Sequence, residues 1–157
     1  MANTYTQLYT HIVFAVKYRQ SLILPSFRDA TEKYMTGILQ NKKHKLLAIY
    51  LMQDHAHILI GQNPNLALSE SINVLKTEST NFINENRFIP FKFQWQNGYG
   101  AFSVSRGEMS NVIQYIINQP EHHKKLNFRD EYLDLLRKHE MDYDERYVFE
   151  FFDGLMS

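Results

Sequence analysis

Two histidines one residue apart, His55-Ala56-His57, open the apolar run HAHILI. The run reads as a β-strand, in which residues i and i+2 project from one face. Both imidazoles therefore point one way and Ala56 the other. Two neutral imidazoles side by side can hold a divalent cation and leave positions open for water or a phosphate oxygen. Asp54, next in the chain, has the chemistry of an outer group that orients a ligating ring. Taken alone the pattern is weak, and two surface histidines on a strand are the commoner case. A third ligand and a reactive group elsewhere would reverse that balance.

The segment from Glu108 to Lys124 supplies candidates for both. At about 100° per residue, Met109, Val112, Ile113, Ile116 and Ile117 form an apolar arc, while Asn111, Tyr115, Gln119 and His122 gather almost opposite. Tyr115 and Gln119 are four apart and so are neighbours on the helix surface. A phenol is a poor nucleophile at its free pKa of about 10 and becomes competent when a metal or base lowers the cost of ionising it. The carbonyl oxygen of Gln119 is a hard ligand suited to Mg²⁺ or Mn²⁺. A half-exposed tyrosine hydrogen-bonded to a glutamine is the bland alternative, and it is the combination with the histidine pair that favours chemistry. Pro120 removes a backbone N–H and is expected to break or kink the helix, which unsettles Gln119 but not Tyr115. His122 and His123 are expected at exposed polar positions, and His11 faces either the core or the site.

The elements that must position these residues follow from periodicity and breakers. Strands are predicted over Leu8–Val16, Leu46–Met52 and His55–Ile60, with an aromatic strand region broken by two glycines over Phe93–Val104. A first helix runs from Pro25 to about Gln40, and a second carries Leu68, Ile72, Leu75 and Phe82 on one stripe. Ser105-Arg106-Gly107-Glu108 has capping-box spacing and predicts the start of the tyrosine helix. A fourth, acidic helix covers about Phe128–His139. The order β-α-β-β-α-β plus C-terminal helices predicts an α+β, ferredoxin-like split βαβ fold with an antiparallel sheet. Residues 1–157 are expected to be one domain, with an acidic helical tail from about 128 to 157.

The 157 residues hold 17 Lys+Arg and 17 Asp+Glu, a formal net charge of zero, which at first argues against binding a polyanion. The zero is a sum of unlike parts. Residues 1–46 carry seven basic and two acidic residues, 47–129 seven and six, and 130–157 three and nine. A basic body thus precedes an acidic tail, which is expected to lie away from any DNA groove. Lys17 and Arg19, and Lys42, Lys43 and Lys45 of the NKKHK turn, are the clustered candidates for phosphate contact, although any one of them alone reads better as a solvated charge. Trp95, Tyr99 and Phe102 could stack on unpaired bases, although most of them read better as core or dimer residues, since a lone Trp near a sheet usually packs. There are no cysteines, which excludes disulfides, thiolate metal sites and a cysteine nucleophile. The absence of a secretory signal pattern and of any apolar run near 20 residues leads us to expect a cytoplasmic, membrane-free protein. No GxxxxGK[ST] occurs, so no nucleotide cofactor is expected.

QDHAHILI, WQNGYGAFSVS, QYIINQPEHHKK and RDEYLDLLRKHEMDYDERY together resemble the single-tyrosine HUH transposases of the smallest bacterial insertion sequences, a group that includes REP-associated tyrosine transposases. The resemblance spans nearly the whole chain; Gln53 replaces the usual proline before Asp54. It implies a ferredoxin-like fold and the cutting and rejoining of single-stranded DNA bearing hairpins through a 5′-phosphotyrosine intermediate. It implies His55, His57 and Gln119 as ligands of Mg²⁺ or Mn²⁺ and Tyr115 as nucleophile. It also implies a homodimer in which the tyrosine helix of one subunit completes the histidine site of the other. Competing readings are a metal-dependent phosphoesterase using water, a domesticated relative that binds or processes repetitive palindromic DNA, and a structural interaction protein.

Overall fold

In a computed structural model that describes residues 3–148, β1 (Tyr9–Ala15), α1 (Pro25–Asn41), β2 (Lys45–Leu51), β3 (His55–Gly61), α2 (Leu68–Glu85) and β4 (Gly100–Val104) follow in the expected order. The sheet runs β2-β3-β1-β4 with antiparallel neighbours throughout. Each crossover helix joins two strands with a third inserted between them, which is the split βαβ arrangement. The fold is therefore ferredoxin-like α+β. Four helices complete the described chain: α3 (Met109–Ile117), α4 (Gln119–His122), α5 (Phe128–Lys138) and α6 (Glu145–Val148). Residues 149–157 of the expected acidic tail lie outside the described residues.

Both faces of the sheet are covered. Ile12, Phe14, Ala56, Ile58 and Ile60 pack against Phe27, Met35 and Leu39 of α1 and Ile72, Leu75 and Ile83 of α2. On the other face Val13, Ala15 and Phe102 receive Phe128, Leu133 and Leu136 of α5, while Ala48 and Leu59 receive Ile116 of α3. Every residue from His55 to Ile60 is buried, as expected where a strand has no solvent face. Each large apolar side chain buried this way contributes about 1.5–3 kcal/mol. That is how α5, at 11 residues too short to be stable alone, is held on the sheet. Its start is also fixed locally: the Asn127 side chain accepts a hydrogen bond from the Asp130 N–H at 2.8 Å, and Asp130 and Glu131 sit in the first turn with Arg137 and Lys138 in the last.

Two expectations are corrected. The strand expected over Phe93–Val104 is reduced to Gly100–Val104, because Gly98 at φ 86° turns the chain out of the extended region. Phe93 and Trp95 plug the core instead, Trp95 packing edge-on to Phe14 at 4.7 Å and donating from Nε1 to Ser79 Oγ at 2.9 Å. The capping box does not form. A 3-10 turn over Arg106–Glu108 comes first, the Ser105 side chain caps nothing, and the Glu108 carboxylate accepts from Asn111 Nδ2 at 2.9 Å. The apolar arc of α3 packs on β2, an edge strand, as well as on β3: Ile116 is fully buried, Met109, Val112 and Ile113 are partly buried against it, and Ile117 is 50% exposed.

Candidate metal and tyrosine site

The imidazoles of His55 and His57 lie on one sheet face with centroids 5.1 Å apart. Both are fully buried, so they are not surface histidines. Each ring is fixed through Nδ1. His55 Nδ1 lies 2.7 Å from Asp54 Oδ1, and His57 Nδ1 lies 2.8 Å from His11 Nε2. His11 reaches this position because His57 pairs with Val13 and Leu59 with His11 across β1 and β3, making His11 and His57 diagonal neighbours on one face. Both Nε2 atoms are left aimed inward, the division found in metal-ligating histidines held by an outer partner. Burial, and for His11 the neighbouring His57 ring, pushes the imidazoles of His11 and His57 below the ordinary 6.5. His57 is therefore neutral near pH 7, as a ligand must be.

Pro120 leaves Gln119 in the site. α3 stops at Ile117, Asn118 turns the chain (φ −91°, ψ 21°), and α4 restarts with Pro120 in its first turn, where a missing N–H removes no helical bond. The break brings Gln119 fully inside. Its Oε1 lies 3.1 Å from His55 Nε2, and its Nε2 donates to Glu131 Oε2 at 3.0 Å.

Tyr115 is half-buried, its ring edge-on to His57 at 5.7 Å, and its hydroxyl donates a hydrogen bond to Glu131 Oε2. Burial and the adjacent Glu131 charge push the phenol above its usual 10, so without a cation it stays protonated at neutral pH.

Glu131 was not singled out in the sequence, yet it sits at the centre. It is 2% exposed, and its Oε1 lies 3.1 Å from His57 Nε2, 3.0 Å from His123 Nε2 and 3.5 Å from His55 Nε2. Burial alone would raise its carboxyl; the hydrogen bonds from His123 and His57 overrule that and hold it well below the carboxylate range. α5, the first helix of the acidic tail, thus lies over the site, and its Phe128 stacks on His55 at 4.0 Å. His123, expected at the surface, instead has a side chain only 11% exposed. The usable signal was an acid on an apolar stripe, since Phe128, Glu131 and Leu135 share an i, i+3, i+7 row. No local signal marks His123 as a site residue.

The ligand atoms of His55, His57 and Glu131 lie within 4.8 Å of one another. Two imidazoles, a carboxylate and an amide oxygen fit a divalent cation of the Mn²⁺ or Mg²⁺ type. Tyr115, Gln119 and both histidines meet within one chain. A cavity of about 700 Å³ opens beside them, with His11, Tyr115 and Glu131 on its wall.

The candidate DNA contacts separate into two places. Lys17 and Arg19 lie in a 3-10 turn just past β1, at the histidine end, since Ala15 pairs with His55. Lys42, Lys43 and Lys45 lie at the other end, since Lys45 pairs with Gly61; six residues along β3 correspond to about 20 Å. Among the described residues no helix is long and apolar enough to cross a membrane.

Comparison with known proteins places this geometry. The sequence profile of the family described as Transposase IS200 like matches residues 4–119, and the chain belongs to that family of transposases. It is 28% identical over 130 residues to the transposase for insertion sequence element IS200 of Salmonella typhimurium, covering 79% of this chain and 84% of that protein. It is 22% identical over 122 residues to the ISDra2 transposase TnpA of Deinococcus radiodurans, covering 72% of this chain and 84% of that one. Two solved structures share the fold. A Deinococcus radiodurans protein described as a transposase matches with a TM-score of 0.61 at 23% identity over 76% of this chain and 95% of its own. A REP-associated tyrosine transposase bound to a REP hairpin matches with a TM-score of 0.61 at 13% identity over 98% of this chain and 93% of its own. The family match ends at Gln119, whereas the hairpin-bound neighbour also spans the C-terminal helices.

Proposed function

We propose that this transposase cleaves and rejoins single-stranded DNA through a covalent 5′-phosphotyrosine on Tyr115. The observation that carries the reading is that the Tyr115 hydroxyl is hydrogen-bonded to Glu131, whose buried carboxylate lies against both strand histidines and Gln119 within one chain. The phenol oxygen attacks the scissile phosphorus in line and forms a P–O bond; the P–O3′ bond breaks, the 3′ oxygen takes a proton and leaves as a hydroxyl, and the phenol proton is released. Attack by another 3′-hydroxyl reverses these steps and restores the phenol, so no nucleotide cofactor is consumed. His55, His57 and Gln119 hold Mg²⁺ or Mn²⁺, which when bound eases charge build-up on the phosphate. His11 and Asp54 keep the two rings oriented.

The substrate is DNA with hairpins, a reading supported by the hairpin-bound structural neighbour. Lys17 and Arg19 contact phosphates near the scissile bond, and Lys42, Lys43 and Lys45 contact phosphates about 20 Å away. The C-terminal helices belong to the same catalytic unit as the sheet. The test is incubation with labelled single-stranded hairpin DNA and Mn²⁺, followed by denaturing electrophoresis. A denaturation-resistant adduct is expected from the wild type and none from Tyr115→Phe, which still binds the hairpin. An adduct from the phenylalanine variant, or cleavage by the wild type with no adduct, would overturn the reading; the latter result indicates a phosphoesterase that uses water.

A further inference from the structure

We propose that Glu131, supplied by α5, is a direct carboxylate ligand of the divalent cation and through its second oxygen fixes Tyr115 beside it. The inference rests on the metal-dependent reading above and adds a residue that lies beyond the segment matched by the family profile.

Two independent observations carry it. The first is spacing. Around one cation with bonds of about 2.1 Å, adjacent ligand atoms sit about 3.0–3.4 Å apart. Glu131 Oε1 is 3.1 Å from His57 Nε2 and 3.5 Å from His55 Nε2, and Gln119 Oε1 is 3.1 Å from His55 Nε2. Two of these spacings fall in that range and the third lies just above it, so one cation placed among these atoms reaches Glu131 Oε1 with small adjustments of the side chains. The second is charge. A carboxylate 2% exposed is costly to bury even when hydrogen-bonded, and a positive charge beside it offsets that cost. Its partners are the side chains of His55, His57, His123, Gln119 and Tyr115, and among the described residues no Lys or Arg forms an ion pair with it. A divalent cation among these atoms would supply that charge.

The surrounding hydrogen bonds suit the role. His123 Nε2 at 3.0 Å steadies Oε1, the atom nearest both strand histidines, while Gln119 Nε2 and the Tyr115 hydroxyl engage Oε2. His123 is thus a positioning residue, and the first turn of α5 connects the cation to the nucleophile. Two imidazoles with a carboxylate also favour a first-row transition ion over Mg²⁺.

The test is Mn²⁺ titration of the full chain, reading free Mn²⁺ by electron paramagnetic resonance, on the wild type, His57→Ala, Glu131→Gln and Glu131→Asp. One Mn²⁺ per chain is expected for the wild type, with excess Mg²⁺ competing poorly. Glu131→Gln is expected to weaken binding about tenfold or more, with Glu131→Asp in between. Affinity of Glu131→Gln within twofold of wild type, or tighter, overturns the proposal; the tighter result would mean that the carboxylate takes the cation's place. If Glu131→Gln does not fold, Glu131→Asp decides, and unchanged affinity overturns the proposal. Loss of Mn²⁺ in His57→Ala with Glu131→Gln unaffected removes Glu131 from the shell but leaves the histidine site standing. No uptake by the wild type removes both.

Discussion

Gly100 on β4 tests whether α5 is docked on the sheet as described. A Cβ built there lies 2.7 Å from the Tyr132 hydroxyl, 2.8 Å from Tyr132 Cε1 and 3.1 Å from Phe102 Cε2. Ordinary contact begins near 3.4 Å, so Gly100→Ala requires the Tyr132 ring to retreat by about 0.7 Å from the strand. Tyr132 is stacked on Phe128 at 5.6 Å and adjoins Glu131, so the displacement bears on the turn that closes the site. Overpacking of this kind costs about 1–3 kcal/mol, offset by about 0.4–1 kcal/mol from the stiffer unfolded chain, leaving roughly 1–2 kcal/mol. In a domain of this size that lowers Tm by roughly 2–8 °C. The assay is a double-mutant cycle with Tyr132→Ala followed by thermal denaturation. The cost of Gly100→Ala should fall by at least about 1 kcal/mol when Tyr132 is absent. Equal costs in the two backgrounds, within about 0.3 kcal/mol, would refute this docking of α5.

Two further outcomes follow from the same contacts. Asp54→Asn weakens the acceptor of the 2.7 Å bond to His55 Nδ1 and should lower Mn²⁺ affinity about 10–100-fold without unfolding the protein; unchanged affinity by titration would remove Asp54 from the site. Glu131 has its folded pKa depressed by hydrogen bonds from His123 and His57 that overrule burial. Its contribution to stability is therefore present above the unfolded carboxyl pKa of about 4.3 and is lost as pH falls below it. In metal-free buffer the wild type should lose stability between about pH 5 and 3 more steeply than Glu131→Gln, and equal slopes in denaturant titrations would contradict the assignment.

The fold was legible because its signals are local. The alternating and continuous apolar runs of β1–β3, Pro25 at the start of α1, and the HxH at the start of β3 each act within a few residues. Tyr115 and Gln119 could be paired from their spacing, and the structure places both beside the histidines, although by different means: Tyr115 on α3, Gln119 through the break at Asn118. His11, His123 and Glu131 escaped because their roles arise across the chain. His11 meets His57 only through the β1–β3 register, and Glu131 meets the histidines only when α5 folds back over the sheet face. The same folding-back was hidden in the tail: net charge located the tail in sequence but carried no information on its amphipathic stripe, which Phe128, Leu133 and Leu136 bury. The capping box failed for a related reason, since a 3-10 turn displaced the helix start and no spacing rule foresees that.

The most direct measurement is the identity of the residue that carries DNA. Protein reacted with single-stranded hairpin DNA and Mn²⁺ is digested with protease and nuclease, and the nucleotide-bearing peptide is sequenced by mass spectrometry. The account predicts a 5′-phosphate on the phenol oxygen of Tyr115 within the α3 peptide. A phosphate on any other residue, or none on a protein that has cut the DNA, would contradict it.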